Sequence, residues 1–323
     1  MTNGFEYVKK GASRDRRVKR SSQVERGVAL NVLADAAAHD SNKDCKNGHE
    51  IVSDEATTYG ARGRRFSASR MAENYRFRPP YPVEVDDTLG ELLRGHPRIL
   101  LDAGCGTGKI TLGLVDRIDR ADAVDPSDAT LRVARAFPGA DSAKIRWIHA
   151  AIEDAPLDPP YGLIVAASSI HWMNLDRTLP RFADALADGA MLAVLDGDAP
   201  VDAPWEREET AFMIDFLEAR EGRRPSWWKT ARERLAEPVL VHAGFERLGH
   251  RITAPVAFSQ SVEDYLRCQH SRATWSEDHL GEKASGEFDA AMTAILSRYA
   301  RDGTLTFEVQ TRIEWGRVIG VRS

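Results

Sequence analysis

Residues 100–109 read LLDAGCGTGK: apolar strand residues run into Asp102, and glycines follow at 104, 106 and 108. Glycine takes positive φ at little steric cost and lets backbone approach a ligand closely. A phosphate-binding P-loop needs G-x-x-x-x-G-K-[ST]. Here position 103 is alanine and Ile110 follows Lys109, so that pattern fails twice. The dinucleotide fingerprint G-x-G-x-x-G fails as well, because the third glycine comes one residue early. A shorter loop preceded by an acidic residue suits a ligand without phosphates. Asp125 lies 23 residues past Asp102 and closes the next apolar run, residues 121–125. An acidic residue at about that distance is a ribose partner, since a carboxylate accepts hydrogen bonds from both hydroxyls. Pro126 and Ser127 open the following helix, with Ser127 as its N-cap. The chemistry indicated is recognition of a nucleoside.

The elements that must position these residues alternate. Strands are expected at 98–103, 121–125, 145–149, 163–168 and 190–195, with helices at 84–94, 109–118, 127–137 and 176–187. Residues 163–168 (LIVAAS) are apolar without alternation, as in a strand covered on both faces. Alternating strand and helix with short connections gives an α/β fold with a doubly wound, mostly parallel sheet. Two long strand regions at 245–258, interrupted by Pro255, and 305–318 bring the sheet to seven strands. Helices at 205–219, 229–242, 262–272 and 287–299 are insertions. Five of the seven tryptophans (Trp205, Trp227, Trp228, Trp275, Trp315) fall in this last third, either lining a pocket over the sheet or packing the added helices. A short helix is expected at 66–75, stopped by Pro79, Pro80 and Pro82.

The chain of 323 residues is 42 % hydrophobic and 29 % charged, ordinary for a folded domain. Residues 1–70 hold 14 Lys/Arg against 9 Asp/Glu, the remainder 30 against 40. The folded part is therefore acidic and gives no electrostatic footprint for nucleic acid. Residues 1–63, polar and poor in aromatics, are expected to be a flexible N-terminal extension. Its basic run 14–20 (RDRRVKR) is either a solvated segment or a docking site for anionic partners. No stretch approaches the ~18 apolar residues of a membrane span, and no secretory signal is recognisable. Cys45, Cys105 and Cys268 form no C-x-x-C pair, so neither a disulfide framework nor a metal site is expected, and a cytoplasmic setting fits. The oligomeric state is not legible.

LDAGCGTGK (101–109) followed by AVDPS (123–127) resembles the class I S-adenosylmethionine-dependent methyltransferases, and the resemblance runs from Phe66 to Val318. It looks like the small-molecule, type 11/25-like branch, whose members begin F-x-x-x-A-x-x-Y-x-x-x-R-P-x-Y-P. Here residues 66–82 read FSASRMAENYRFRPPYP, matching at Arg78, Pro79, Tyr81 and Pro82, with Tyr75 one residue nearer Arg78 than in the pattern and Ala72 displaced relative to Phe66. The branch also has a His-Trp pair after strand four, matched by Ser169-Ile170-His171-Trp172. The resemblance implies a Rossmann-like methyltransferase domain over 64–323, capped by insertions at about 200–243 and 260–300. It implies S-adenosylmethionine as cofactor. Gly104, Gly106 and Gly108, with Asp102, would cradle the methionine part and ribose, and Asp125 with Pro126 the ribose hydroxyls. Ala151, Ile152 and Glu153 would frame the adenine, and Ser168 would lie beside the sulfonium. Tyr75 or Arg78 would meet the cofactor's carboxylate or close over it.

Methyl transfer from a sulfonium is an in-line displacement that needs alignment and exclusion of water. A carboxylate acceptor needs no base, whereas a hydroxyl or amine often does. His171, following strand four at the carboxyl edge, is the candidate base, or with Trp172 it shapes the pocket floor. His270 is a second candidate, and with Trp172 and Trp275 it is assigned to the substrate pocket, where Ser271 and Arg272 would belong to a lid. The leading function is O-methylation of a carboxylate or hydroxyl of a small metabolite. The alternative is a cofactor-binding regulatory or partner subunit of the same fold without catalysis. A nicotinamide-dependent oxidoreductase is disfavoured by the loop spacing and the lack of a placed Tyr-x-x-x-Lys pair. A nucleic-acid methyltransferase is disfavoured because SSIH (168–171) stands where an Asn-Pro-Pro-Tyr-type motif would be.

Overall fold

The structure, a computed structural model, describes residues 69–222 and 228–319. The expected extension at 1–63 and Phe66 lie outside the described residues. Seven strands form one sheet: β1 (Ile99–Ala103), β2 (Arg120–Asp125), β3 (Ile145–His149), β4 (Tyr161–Ala167), β5 (Leu186–Asp196), β7 (Phe245–Ile252) and β10 (Arg312–Val318). Their order is β3-β2-β1-β4-β5-β10-β7. β10 runs antiparallel between β5 and β7, and the other pairings are parallel. Order reverses between β1 and β4, so a crevice opens at their carboxyl ends, where ligands bind in such sheets.

Strand side chains alternate faces, and here both faces are covered. Leu100, Leu163, Val165, Leu195 and Ile313 pack on one side against Val85 and Leu89 of α2 (Val83–Leu92) and Ile110 of α3 (Lys109–Gly113). Leu101, Ile164, Ala166, Leu192 and Val194 pack on the other against Leu179 and Phe182 of α5 (Leu175–Ala185). That two-sided burial explains the unbroken apolar runs. Helix α3 is shorter than the expected 109–118; it ends at Gly113 and continues as turns to Arg117.

Two expectations need correction. Residues 245–258 are not one strand of the main sheet, and neither are 305–318. After β7 the chain leaves the sheet and forms β8 (Val256–Ser261). β9 (Thr304–Val309) likewise precedes β10. With β6 (Pro200–Val201), these make a separate sheet of order β6-β9-β8. Pro255 lacks an N–H to continue a ladder, and the crossing is held by threonines instead. Thr253 donates its N–H to the Thr311 carbonyl at 3.0 Å, and the Thr311 N–H reaches Thr253 Oγ1 at 3.0 Å. The small sheet has its own apolar core with α6 (Glu206–Glu221), α8 (Val262–His270) and α10 (Glu282–Leu296), built on Trp205, Tyr265, Trp275, Phe288 and Phe307. The helix expected at 229–242 contracts to α7 (Ala231–Ala236). Thr230 and Glu233 form a capping box at its start. Glu237 precedes Pro238 and is extended (φ −96°, ψ 154°), which ends it.

Candidate active site

The turn after β1 is built by its glycines. Gly104, Gly106 and Gly108 have φ of +72°, +56° and +77°, values that a side chain rarely tolerates. A Cβ on Gly104 would lie 2.5 Å from Ser169 Cβ, and one on Gly108 would lie 2.5 Å from the Trp147 ring. Gly106 differs: a Cβ there would meet only Tyr75, at 3.9 Å. Its open side faces a cavity of ≈410 Å³ at the carboxyl edge of β1, β2 and β4.

Of the predicted site residues, Tyr75, Arg78, Asp102, Gly104, Gly106, Asp125, Pro126, Ile152, Glu153, Ser168 and Trp172 all line this cavity. Four do not. Gly108 serves packing against Trp147 and starts α3 instead of touching the cavity. His171 is exposed and lines neither this cavity nor the next one described below. His270 is buried with both ring nitrogens engaged, Nδ1 with the Trp275 carbonyl (2.6 Å) and Nε2 with Asp289 (2.8 Å). Burial alone would lower its pKa, but these two acceptors raise it above the ordinary value. It is a structural histidine. Trp275 is buried and lines a neighbouring cavity.

The two carboxyls are held differently. Asp102 is buried; its Oδ2 accepts from the Thr111 N–H (3.2 Å) and hydroxyl (2.7 Å), and its Oδ1 has no partner. Burial pushes Asp102 up to about 7, against the pull of the Thr111 bonds. Asp125 Oδ2 accepts from the Gly106 N–H at 2.9 Å and Oδ1 from the Ser127 N–H at 2.8 Å. A carboxylate has about four acceptor positions, so two remain for a ligand. Burial raises Asp125 to about 6 despite those two donors. Ser127 caps α4 (Asp128–Arg135) as expected, accepting from the Thr130 N–H. Ser168, just past β4, is a non-glycine residue at φ +51°. Strained backbone of this kind clusters at functional sites. Glu153 Oε1 accepts from the Asn174 N–H at 2.8 Å, tying the loop after β3 to the start of α5.

Arg78 spans three segments. Pro79 forces it extended (φ −66°, ψ 138°), ending the turn Tyr75–Phe77. Its Nε donates to Ser271 Oγ (2.7 Å), Nη2 to the Ser271 carbonyl (2.9 Å) and Nη1 to Asp198 Oδ2 (3.1 Å). The guanidinium lies 4.1 Å over the Tyr75 ring. Asp198 also accepts from Arg272, at 3.1 Å. Burial works against ionisation of Asp198, but Arg272, Arg78 and Lys109 hold its carboxyl well below the usual range. Lys109, lowered by burial to about 8, donates to the Arg78 and Pro79 carbonyls at 2.9 and 2.8 Å.

Asp198, Lys109 and Tyr81 line the cavity and were missed in the sequence. Lys109 ends the glycine motif itself, and Asp198 follows the fifth strand at the ligand edge. Both positions were signals available before the structure.

A methyltransferase-domain family model matches residues 100–189. A malonyl-[acyl-carrier protein] O-methyltransferase of Anoxybacillus flavithermus is 32% identical over 216 residues, covering 65% of this chain and 79% of that protein. The chain belongs to the class I S-adenosylmethionine-dependent methyltransferases. A probable S-adenosylmethionine-dependent methyltransferase of Saccharomyces cerevisiae, CRG1, is 32% identical over 117 residues, 35% of this chain. The chain spans 40% of that protein's length and 52% of that of an uncharacterized Mycobacterium tuberculosis methyltransferase. A solved structure from Anaeromyxobacter dehalogenans, designated a type II methyltransferase, shares the fold with a TM-score of 0.53 at 24% identity, over 75% of this chain and 98% of that one.

The cofactor of class I methyltransferases carries an ammonium, a carboxylate and a ribose diol, and the cavity fits all three. Asp102 Oδ1 is a buried acceptor that lacks a donor. Asp125 has acceptor positions to spare. Arg78 and Lys109 add positive charge at the same wall, and Gly106 leaves room for close approach. Among the described residues, no helix is long and apolar enough to cross a membrane.

Proposed function

We propose that this chain transfers the methyl group of S-adenosylmethionine to an oxygen, carboxylate or hydroxyl, of a small-molecule acceptor. Tyr75, Arg78, Asp102, Gly104, Gly106, Asp125, Pro126, Ile152, Glu153 and Ser168 hold the cofactor. One observation carries this reading: two buried carboxyls, one with a bare acceptor atom, share one cavity at the switch point of the sheet. The choice of oxygen is supported by relatives from Anoxybacillus flavithermus and Acetivibrio thermocellus, both named as malonyl-[acyl-carrier protein] O-methyltransferases. A cytoplasmic setting, suggested by two free buried cysteines, belongs to the same proposal.

When bound, S-adenosylmethionine supplies a methyl group on a positively charged sulfur, open to attack from the opposite side. The chain's own residues orient and shield. Asp125 accepts from the ribose hydroxyls, and Asp102 Oδ1 accepts from the ammonium. Ser168 and Trp172 bound the cavity at the end of β4. Alignment of this kind can lower a barrier by ~7–11 kcal/mol. A carboxylate acceptor needs no proton acceptor; for a hydroxyl, His171 would have to turn inward from its exposed position. Crowding by surrounding protein lowers its pKa, partly offset by Asp196, so the ring is neutral and able to take a proton.

The test is calorimetric titration with S-adenosylmethionine, S-adenosylhomocysteine and NADH. Binding of the two adenosyl compounds alone, weakened in Asp125→Ala, supports the reading. Absence of adenosyl binding would sink it and favour a scaffold role for the fold.

A further inference from the structure

A second cavity of ≈320 Å³ adjoins the first and shares Asp198 with it. Helices α6 and α8 contribute Glu209, Met213, Tyr265 and Gln269, and the segments around them contribute Trp228 and Trp275. The two indole rings meet edge-on at 6.4 Å. Trp275 is held from behind by Phe288, stacked at 5.0 Å and 22°.

A buried carboxyl lines the same cavity. Glu209 is 8 % exposed and accepts from Tyr265 Oη at 2.8 and 3.0 Å and from Gln269 Nε2 at 3.4 Å. Burial pushes it up to about 7; the Tyr265 bond and Arg272 oppose this, and Glu206 adds to it. Among the described residues, the cations nearby are committed elsewhere. Arg272 bonds Asp198 (3.1 Å), exposed Lys229 pairs with Glu237, and Arg234 donates to the Lys229 carbonyl (2.8 Å). Glu206 and Asp196 line the same walls. The cavity thus combines aromatic faces with a buried carboxyl that, among the described residues, has no cation of its own. A buried carboxylate is costly without such a partner, and indole faces attract cations.

We infer that this second cavity anchors the acceptor through a protonated amine borne on an aromatic body, the ammonium meeting Glu209 and the ring lying against Trp228 and Trp275. The acceptor then extends toward Asp198, common to both cavities. This rests on the reading that the first cavity holds the cofactor. A carboxylate at the same end of the ligand is rejected by Glu209, Glu206 and Asp196.

The test uses three phenols of one shape and different charge: tyramine, 4-ethylphenol and 3-(4-hydroxyphenyl)propionate. Each is titrated calorimetrically into the full chain, with and without S-adenosylhomocysteine. Tyramine is expected to bind at least about tenfold tighter than 4-ethylphenol, with the propionate weakest. Tyramine affinity should rise from pH 6 to pH 8, as Glu209 ionises. Glu209→Gln, which keeps an acceptor for Tyr265, should bring tyramine to the level of 4-ethylphenol while leaving S-adenosylhomocysteine binding unchanged. Equal binding of the three, preference for the propionate, no binding at millimolar concentration, or an unaltered preference in Glu209→Gln would overturn the inference. Failure of S-adenosylhomocysteine to bind would instead defeat the cofactor reading, and the charge preference stays readable without it.

Discussion

Asp102 and Asp125 share a cavity but respond differently to substitution. Asp125 is already half satisfied by Gly106 and Ser127, so Asp125→Ala removes two loop anchors together with the proposed ribose contacts. Adenosyl affinity should fall by ~1–3 kcal/mol by calorimetry; an unchanged constant would place the ribose elsewhere. Both carboxyls lie above the usual range, about 7 for Asp102 and about 6 for Asp125. Hydrogen-bond donors on the cofactor favour the ionised forms, so affinity should rise between pH 5 and pH 8 and then level off. A flat profile would mean that neither carboxyl touches the ligand. His171→Ala should leave kcat within about threefold, because its ring is outside the cavity lining; a large loss with a shifted pH profile would restore a base role. The glycine loop and Asp125 were legible because their geometry is local, fixed by a strand, a turn and a helix start. The position of Asp198 after the fifth strand could be read, but not its grip on two arginines, because those partners come from 120 and 74 residues away.

At the scale of elements, the segment before α2 is pinned to α8 and to the loop after β5 by one guanidinium. The Asp198 side chain is only 13 % exposed and carries two arginines. Asp198→Asn leaves both without an anion, and losing one partner of a buried pair costs about 3–5 kcal/mol. Urea unfolding should show that loss, and a change under about 1 kcal/mol would class the cluster with ordinary surface pairs. The prolines around Arg78 announced where the helix stops, but not what the arginine would grip. Strand misreading has a related cause. Residues 245–258, interrupted by Pro255, and 305–318, which alternates in places, each read as one strand region, while the change of sheet depends on pairings between Thr253 and Thr311.

Across the whole molecule, the small sheet and its helices bury a core of their own, separate from the two layers on the main sheet. Phe288, fully buried against Trp275, Phe212 and Phe216, should lose about 3–5 kcal/mol on replacement by alanine. Adenosyl affinity should survive, measured at a temperature where the variant is folded; a parallel loss would mean that the two cores are energetically one. The parallel core was legible from its alternation of strand and helix. The second sheet was not, because β6 is two residues long and pairs with a strand more than a hundred residues away.

The junction between the two sheets has a consequence for descent. Ile252 and Arg312 face each other as partners in an antiparallel pair, so the chain departs and returns at the same spot. Insertions whose ends lie side by side are the ones that proteins accept most readily. Recombination between genes could replace residues 254–310 by cutting at two adjacent points, without re-threading any strand that carries Asp102, Asp125 or the glycine turn. A lineage built this way can acquire new acceptors by swapping a parcel of sequence at a hairpin tip, while the strands that carry Asp102, Asp125 and the glycine turn are inherited intact and only the Ser271 contacts of Arg78 and the pairing with β6 are rebuilt.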